Sequence, residues 1–567
     1  MSATESQAAA SQARTFQVRG QLVDIRERRT YAAKVSIVDG KITAITPTEL
    51  SGGEAQGYLL PGFIDAHIHV ESSMLVPTEF ARAAVVHGTV ATVSDPHEIG
   101  NVLGVEGVQY MLADAEKTPL KICFGAPSCV PATTFETAGA AISVAEVEAL
   151  LDDPRIGYLS EMMNFPGVLG GDPECLAKIA AAKQRNKPVD GHAPGLCGED
   201  ARAYVEAGMT TDHECFTKEE ALDKVAAGCK IAIREGSAAR NFDALYKLLG
   251  EFPDQTMLCS DDKHPDELLL GHINLLVRRA VERGIDVYDA LQAACLNPIE
   301  HYSLHVGQLR VGDPADFIEV DSLEDFNVRR TWIDGQLVAQ DGKTTLPYVE
   351  PTLANRFVVQ HVAPEDLLIP ENTGSELRAA ELRVIEALDG QLITNSIAAE
   401  PLIVEGSVQS DSTSDILKMV VVNRYQEAPP VIAFVKNFGL KRGAMASSVA
   451  HDCHNVIAVG VSDDDLSAAI NAVMDAQGGL SAVCHEDGIR HVLPLPVAGL
   501  MGTGTAEEIA HAYEQLDQAV KSWGSPLRAP YMTLSFMALL VIPELKLSDR
   551  GLFDGGKFEF CSIWQGL

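Results

Sequence analysis

The sequence predicts an α/β protein built on a (β/α)8 TIM-type barrel, with a small β-sandwich domain formed from both flanks and an additional C-terminal α+β domain. Three observations carry this expectation. From about residue 60 to 303, apolar strand-like runs alternate with helix-like runs, the pattern of a parallel sheet covered by helices. Eight strand candidates fall at 62–67, 89–94, 121–125, 157–161, 188–191, 210–212, 230–233 and 257–260, which is what a barrel of roughly 250 residues requires. Short alternating segments with turn signals flank this region on both sides. An open doubly wound sheet is the alternative, but nothing here resembles its Gly-rich dinucleotide turn.

In chain order, residues 1–15 are polar and Ala/Ser/Gln-rich and read as a disordered tail. Residues 16–59 alternate around turns such as Asp39-Gly40, and 304–348 repeat that texture around Gly312-Asp313-Pro314 and Trp332-Ile333-Asp334-Gly335. Together they are expected to form one small β domain enclosing the barrel, 60–303. Ser143-x-x-Glu146 and Thr217-x-x-Glu220 fit capping boxes ahead of barrel helices. Residues 349–567 shift to a mixed α/β texture, with strands near 403–422 and 431–436 and a helix near 465–476.

Composition narrows the function. A chain of 567 residues with 46% hydrophobic content exceeds one ordinary core. Its 79 acidic against 44 basic residues give a formal charge of −35, which argues against nucleic acid or an anionic membrane as partner. Neither a membrane-spanning run of ~20 apolar residues nor a signal peptide is evident, so a cytoplasmic protein is expected. The 11 cysteines are scattered without C-x-x-C pairs, which indicates buried thiols rather than a disulfide framework or a zinc ribbon.

Barrel enzymes draw their chemistry from the C-terminal ends of several strands. Here the first candidate strand ends in His67 and His69, the fourth in Glu161, the fifth in His192, the sixth in His213 and Glu214, and the eighth in Asp261 and Asp262. Imidazoles and carboxylates in this number suit two divalent cations sharing a carboxylate. Asp95-Pro96-His97-Glu98 follows the second strand and Arg234-Glu235-Gly236-Ser237 the seventh. The first reads as pocket structure, with an accessory metal site or a turn as alternatives, and the second as a substrate contact or a solvated loop with a helix cap. His451, Asp452 and His454 lie in a Gly/Ser-rich stretch suited to a mobile lid or a wall facing the barrel.

The motifs Phe63-Ile64-Asp65-Ala66-His67-Ile68-His69-Val70-Glu71-Ser72-Ser73, Ser94-Asp95-Pro96-His97-Glu98-Ile99, Glu161-Met162-Met163-Asn164, Asp190-Gly191-His192-Ala193-Pro194-Gly195, Asp212-His213-Glu214 and Ser260-Asp261-Asp262 resemble the bacterial adenine deaminases of the amidohydrolase superfamily. Ala446 to Asn455 extends the resemblance into the last domain. The resemblance implies that His67, His69 and Asp261 bind one metal ion, that His192 and His213 bind the second, and that Glu161 bridges them. Many superfamily members bridge with a carboxylated lysine, and Glu161 in that place favours the deaminase branch. The implied reaction is hydrolytic deamination of adenine to hypoxanthine and ammonia, as in purine salvage, by a bridging hydroxide. Glu214 would protonate the ring and Asp261 would pass a proton to the departing amine. Manganese or iron is the implied metal, with zinc a further option. Asp262, Glu71, His97, Arg234 and Ser237 are substrate-contact candidates, and a homo-oligomer, dimer or larger, is expected. The alternatives are a cyclic amidase, a deaminase of another aminated heterocycle, and, in another class, a non-catalytic metal-stabilised binding protein.

Overall fold

The computed structural model describes residues 15–50, 57–370 and 381–565. Its centre is a ring of eight parallel strands, Phe63–Ile68, Thr89–Ser94, Lys121–Ala126, Ile156–Met162, Val189–Gly191, Thr211–Asp212, Lys230–Arg234 and Thr256–Cys259, in chain order. Every boundary lies within one residue of the sequence expectation, so the residues read as strand ends do emerge at one rim. The ring closes where the Asp261 N–H donates to the His67 carbonyl at 2.9 Å. Ala66, Val93, Tyr158, Ala232, Met257 and Cys259 pack together inside it. It is therefore a filled core, and chemistry is left to the rim.

One register shift has a direct consequence for that rim. Between Leu159 and Met162 the fourth strand passes three residues while its neighbour passes two, from Val189 to Gly191. Tyr158 packs inside the ring and Leu159 outside it. Strict alternation would then send Glu161 outward, and the bulge turns it into the barrel mouth.

The helices start largely as their sequences dictate. Ser143 and Glu146 form the full reciprocal capping box. At Thr217 only half of the expected box forms: the Thr217 hydroxyl accepts from Glu220 N–H, but the Glu220 carboxylate turns to the N–H groups of Gly195 and Phe216 and to buried Lys224. A buried ammonium outcompetes one backbone donor for the carboxylate.

Thr15–Asp24, Arg29–Val38, Lys41–Pro47 and Tyr58–Pro61 join Phe317–Val320, Val328–Ile333, Gln336–Gln340 and Lys343–Thr344 in one eight-stranded sheet. The two flanks meet at Tyr58–Pro61, which pairs parallel with the first strand and antiparallel with Phe317–Val320. Val18, Leu22, Val35, Ile37, Phe317 and Trp332 form its own core. Asp39-Gly40 and Asp334-Gly335 both have positive φ, as two-residue type I′ hairpins demand. Thr15, assigned to the tail from sequence, begins a strand, and residues 1–14 of that tail lie outside the described residues.

The C-terminal part centres on a second eight-stranded sheet that runs from Thr394–Ala399 at one edge to Ile489–Pro494 at the other. Asp463–Asp475 packs on it, with Ser462 capping its start. Among the described residues no helix is long and apolar enough to cross a membrane.

Candidate metal centre and active site

Short-range hydrogen bonds aim the functional side chains. In three places an aspartate accepts the backbone N–H two residues on: Asp65 from His67 at 3.3 Å, Asp95 from His97 at 3.0 Å, and Asp212 from Glu214 at 2.9 Å. At Asp95 and Asp212 such a bond coincides with the end of strand pairing and turns the chain, whereas after Asp65 the strand runs on to Ile68. This explains how adjacent His213 and Glu214 both reach the site: the sixth strand stops at Asp212, and the alternation that would separate them no longer holds. Asp261 adopts φ of 55°, a left-handed conformation that aspartate tolerates better than most residues, and the chain turns there into the mouth.

The donor atoms converge on Glu161. Its Oε2 lies 2.9 Å from His192 Nδ1 and 2.9 Å from His213 Nε2, and 3.7 Å from His67 Nε2. Its Oε1 lies 3.6 Å from His69 Nε2 and 3.4 Å from His97 Nδ1. Asp261 Oδ1 is 3.3 Å from His69 Nε2 and 3.7 Å from His67 Nε2. Ligands about 2.1 Å from one cation sit roughly 3.0–3.5 Å apart at octahedral or tetrahedral angles, close to these separations. All seven residues are buried, and among the described residues His192 Nε2 has no hydrogen-bond partner. The donor set fits a divalent metal site.

Electrostatics point the same way. Burial alone would raise the Glu161 carboxyl, but His192, His213 and His69 outweigh it and hold it well below its ordinary range. For Asp261 burial is likewise outweighed, chiefly by Arg234 and then by His69 and His213. Burial lowers His192, yet Glu214 and Glu161 raise it to about 9. The excess of carboxylate thus draws positive charge into the cluster, which is what a divalent cation supplies.

Arg234 organises the acid–base candidates. Its guanidinium, 1% exposed, clasps both oxygens of Glu214, with Nη2 to Oε2 at 2.7 Å, and donates from Nη1 to Asp261 Oδ2 at 2.7 Å. Glu214 Oε1 also faces His192 and His213 at 3.7 Å. Arg234 therefore bounds the cavity and orients two carboxylates at once.

The other substrate-contact candidates divide. His97 lines the cavity and bridges Asp95, Glu161 and Asp452. Asp262 lines it and accepts from the Ser72 hydroxyl at 2.6 Å. Glu71 lies behind the lining, accepting from Ile99 N–H at 3.3 Å. Burial first, and then Glu98, push its carboxyl up to about 8. Ser237 is away from the cavity: its hydroxyl donates to Glu267 at 3.0 Å and accepts from His264 N–H at 2.9 Å, which pins a loop.

Sequence reasoning reached the far wall of this cavity only through His451 and Asp452, read as a lid or a wall facing the barrel. Leu392, Phe536 and Leu539 complete it beside His451 and Asp452, all from the C-terminal part. Phe536 stacks on the His451 ring with centroids 5.0 Å apart, and His451 Nδ1 lies 3.4 Å from Glu98. The space left is about 20 Å³, room for little more than a water molecule. Also missed were the supports: Tyr204, whose hydroxyl accepts from His192 N–H at 3.1 Å, and Lys224, which pairs with Asp212 at 3.1 Å. The aspartate two residues before His67, His97, His192 and Glu214 was a usable signal for the supporting carboxylates.

Comparison with known proteins covers both halves of the site. The model of the amidohydrolase family matches residues 58–338, and that of the adenine deaminase C-terminal domain matches 391–559. Proteins named adenine deaminase from Salinibacter ruber, Methanosarcina barkeri and Sulfurovum sp. are 55%, 51% and 52% identical. In each case the match spans 96% of this chain, and 98%, 99% and 99% of the respective relative. With near-complete coverage in both directions, barrel rim and C-terminal wall included, the chain belongs to the adenine deaminase family of the amidohydrolases.

Proposed function

We propose that this protein hydrolyses adenine to hypoxanthine and ammonia as a step of purine salvage. The observation that carries the proposal is Glu161, whose Oε2 faces His192, His213 and His67 and whose Oε1 faces His69 and His97, in a chain similar to adenine deaminases over nearly its whole length. In this reading His67, His69 and Asp261 would hold one cation and His192 and His213 the second, with Glu161 shared between them. Manganese or iron is the proposed metal. Bound divalent cations supply a hydroxide at neutral pH by lowering the pKa of water.

The chain's own groups then handle the protons. Attack at carbon six breaks the aromatic ring, so nitrogen one needs a proton; Glu214, fixed by Arg234, would take the first proton from the attacking water and pass it to nitrogen one. Asp261, held by the same guanidinium, would take the remaining hydroxyl proton and hand it to the departing amine. His67 and His69 do no acid–base work, because ligation occupies the lone pair that a proton would need. His97, Asp262 and the wall formed by His451 and Phe536 bound the base. Because the cavity is smaller than a purine, the wall moves outward to admit it. We place the enzyme in the cytoplasm as a homo-oligomer that binds neither nucleic acid nor membrane, in keeping with its charge of −35.

The test is a product assay on adenine with metal analysis of the same sample. Hypoxanthine and ammonia should form in proportion to bound metal. A folded, metal-loaded preparation that leaves adenine untouched while converting another cyclic substrate would overturn the proposal.

A further inference from the structure

We infer that Lys546 is a positioning residue for substrate binding: its ammonium ties together the two backbone segments that bring Leu392 and Phe536 to the cavity. This rests on the proposal above that the cavity is where adenine binds. Lys546 lies on the strand Leu545–Ser548 and is fully buried. Its Nζ donates to the Leu392 carbonyl at 2.6 Å and to the Phe536 carbonyl at 2.9 Å. Both acceptors belong to residues that line the cavity, although neither is near the other in sequence.

The strand itself runs between the same two segments. Leu545 N–H donates to the Thr394 hydroxyl at 3.1 Å, that hydroxyl returns to the Leu545 carbonyl at 2.8 Å, and Leu547 N–H donates to the Met537 carbonyl at 2.9 Å. Lys546 thus sits at the junction, with its side chain spanning the gap. From Phe536 the alignment passes to the stacked His451 ring and so to Glu98, which joins the apolar wall to the polar lining.

An amine in this position is costly. Among the described residues no ion pair to Lys546 is found, and burial pushes its pKa down to about 7. A methionine of similar length would fill the same space without that desolvation cost. What the ammonium adds is a pair of directional bonds, one to the Leu392 carbonyl and one to the Phe536 carbonyl, which also accepts from Leu539 N–H at 3.2 Å.

Lys546→Met and Lys546→Gln test this in the full chain loaded with manganese. Expected in at least one variant are full metal content, KM for adenine raised about tenfold, and kcat within about threefold, the split produced by lost substrate binding rather than lost chemistry. Hydrogen exchange should quicken in peptides covering residues 388–393 and 530–540 and stay unchanged in the barrel strands. Unchanged KM in every variant that folds overturns the inference. So does a fall in kcat at constant KM, or global unfolding of both variants, since the claim is a local one. If the wild type does not deaminate adenine, the proposed function falls separately, and unaltered exchange of the wall would then dispose of Lys546 as its tie.

Discussion

The cavity has two walls held by opposite means, and two buried lysines show the difference. On the barrel side Lys224 pairs with Asp212 and Glu220, each at 3.1 Å, and donates to the Ala193 carbonyl at 2.6 Å. On the C-terminal side Lys546 holds two carbonyls without a counter-charge among the described residues. Burial lowers both ammonium groups, but at Lys224 the neighbouring carboxylates outweigh it and raise the pKa, whereas at Lys546 burial alone acts. The rim is therefore a closed electrostatic lattice in which removing one charge strands another. The wall is mixed, apolar at Leu392, Phe536 and Leu539 and facing the rim through His451 beside Glu98 and Asp452 beside His97. In the proposed reading the chemistry belongs to the charge-paired side and the admission of substrate to the other.

The most severe way to separate the two sides is to remove metal. Chelation should abolish adenine turnover, and added manganese or iron should restore it in proportion to metal bound. Hydrogen exchange should quicken at the rim loops carrying His69, His192 and His213 while the wall strand Leu545–Ser548 keeps its protection. Equal loosening of both sides would show that they form one unit.

Next in size is Glu214→Gln. It keeps the shape and one acceptor oxygen for Arg234 but cannot carry the proton, so kcat should fall by about 10²–10⁴ with metal content retained. Loss of metal together with activity would instead make Glu214 a support for the ligands. Lys224→Met probes the lattice itself. It leaves Asp212 and Glu220 buried without their shared cation, at a cost of about 3–5 kcal/mol in unfolding free energy. A cost below about 1 kcal/mol, the range of an exposed pair, would mean that the rim is not the closed lattice described.

The same contrast explains what the sequence reveals. The rim was legible because five barrel strands, the first, fourth, fifth, sixth and eighth, are short apolar runs that end in His, Asp or Glu, so strand ends and chemistry mark one another: His67, Glu161, His192 and Asp261 all emerge at one mouth. The bulge that turns Glu161 inward was not legible, since it arises from pairing with Val189 and Gly191 rather than from any local residue pattern. The apolar part of the wall was hidden for a related reason. Leu392 and Lys546 are 154 residues apart, and Leu392, Phe536 and Leu539 look like any other core residues until the fold brings them over the barrel. At Thr217 the local signal was only half used, because the Glu220 carboxylate is taken by Lys224 one turn further along the same helix and by Gly195 N–H, 25 residues back. Local patterns thus predicted what local bonds build, and failed where a distant group decided the geometry.

Ser237 provides the finest test of the division between the two walls. Its place after the seventh strand, three residues beyond Arg234, made it a candidate contact for substrate, and on a barrel rim that expectation is reasonable. The hydroxyl is instead consumed by Glu267 and by His264 N–H, and His264 packs edge-on against Tyr513 of the C-terminal part. Ser237 therefore braces a seam between the rim and the C-terminal part without reaching the cavity. Ser237→Ala should leave kcat/KM for adenine within about twofold and lower stability by about 1 kcal/mol, the net worth of an ordinary hydrogen bond. A tenfold fall in kcat/KM at unchanged stability would mean that the loop swings into the cavity when the base binds. In that event the rim would share the task of admission, and the assignment of chemistry to one side and admission to the other would have to be redrawn around residues 234–241.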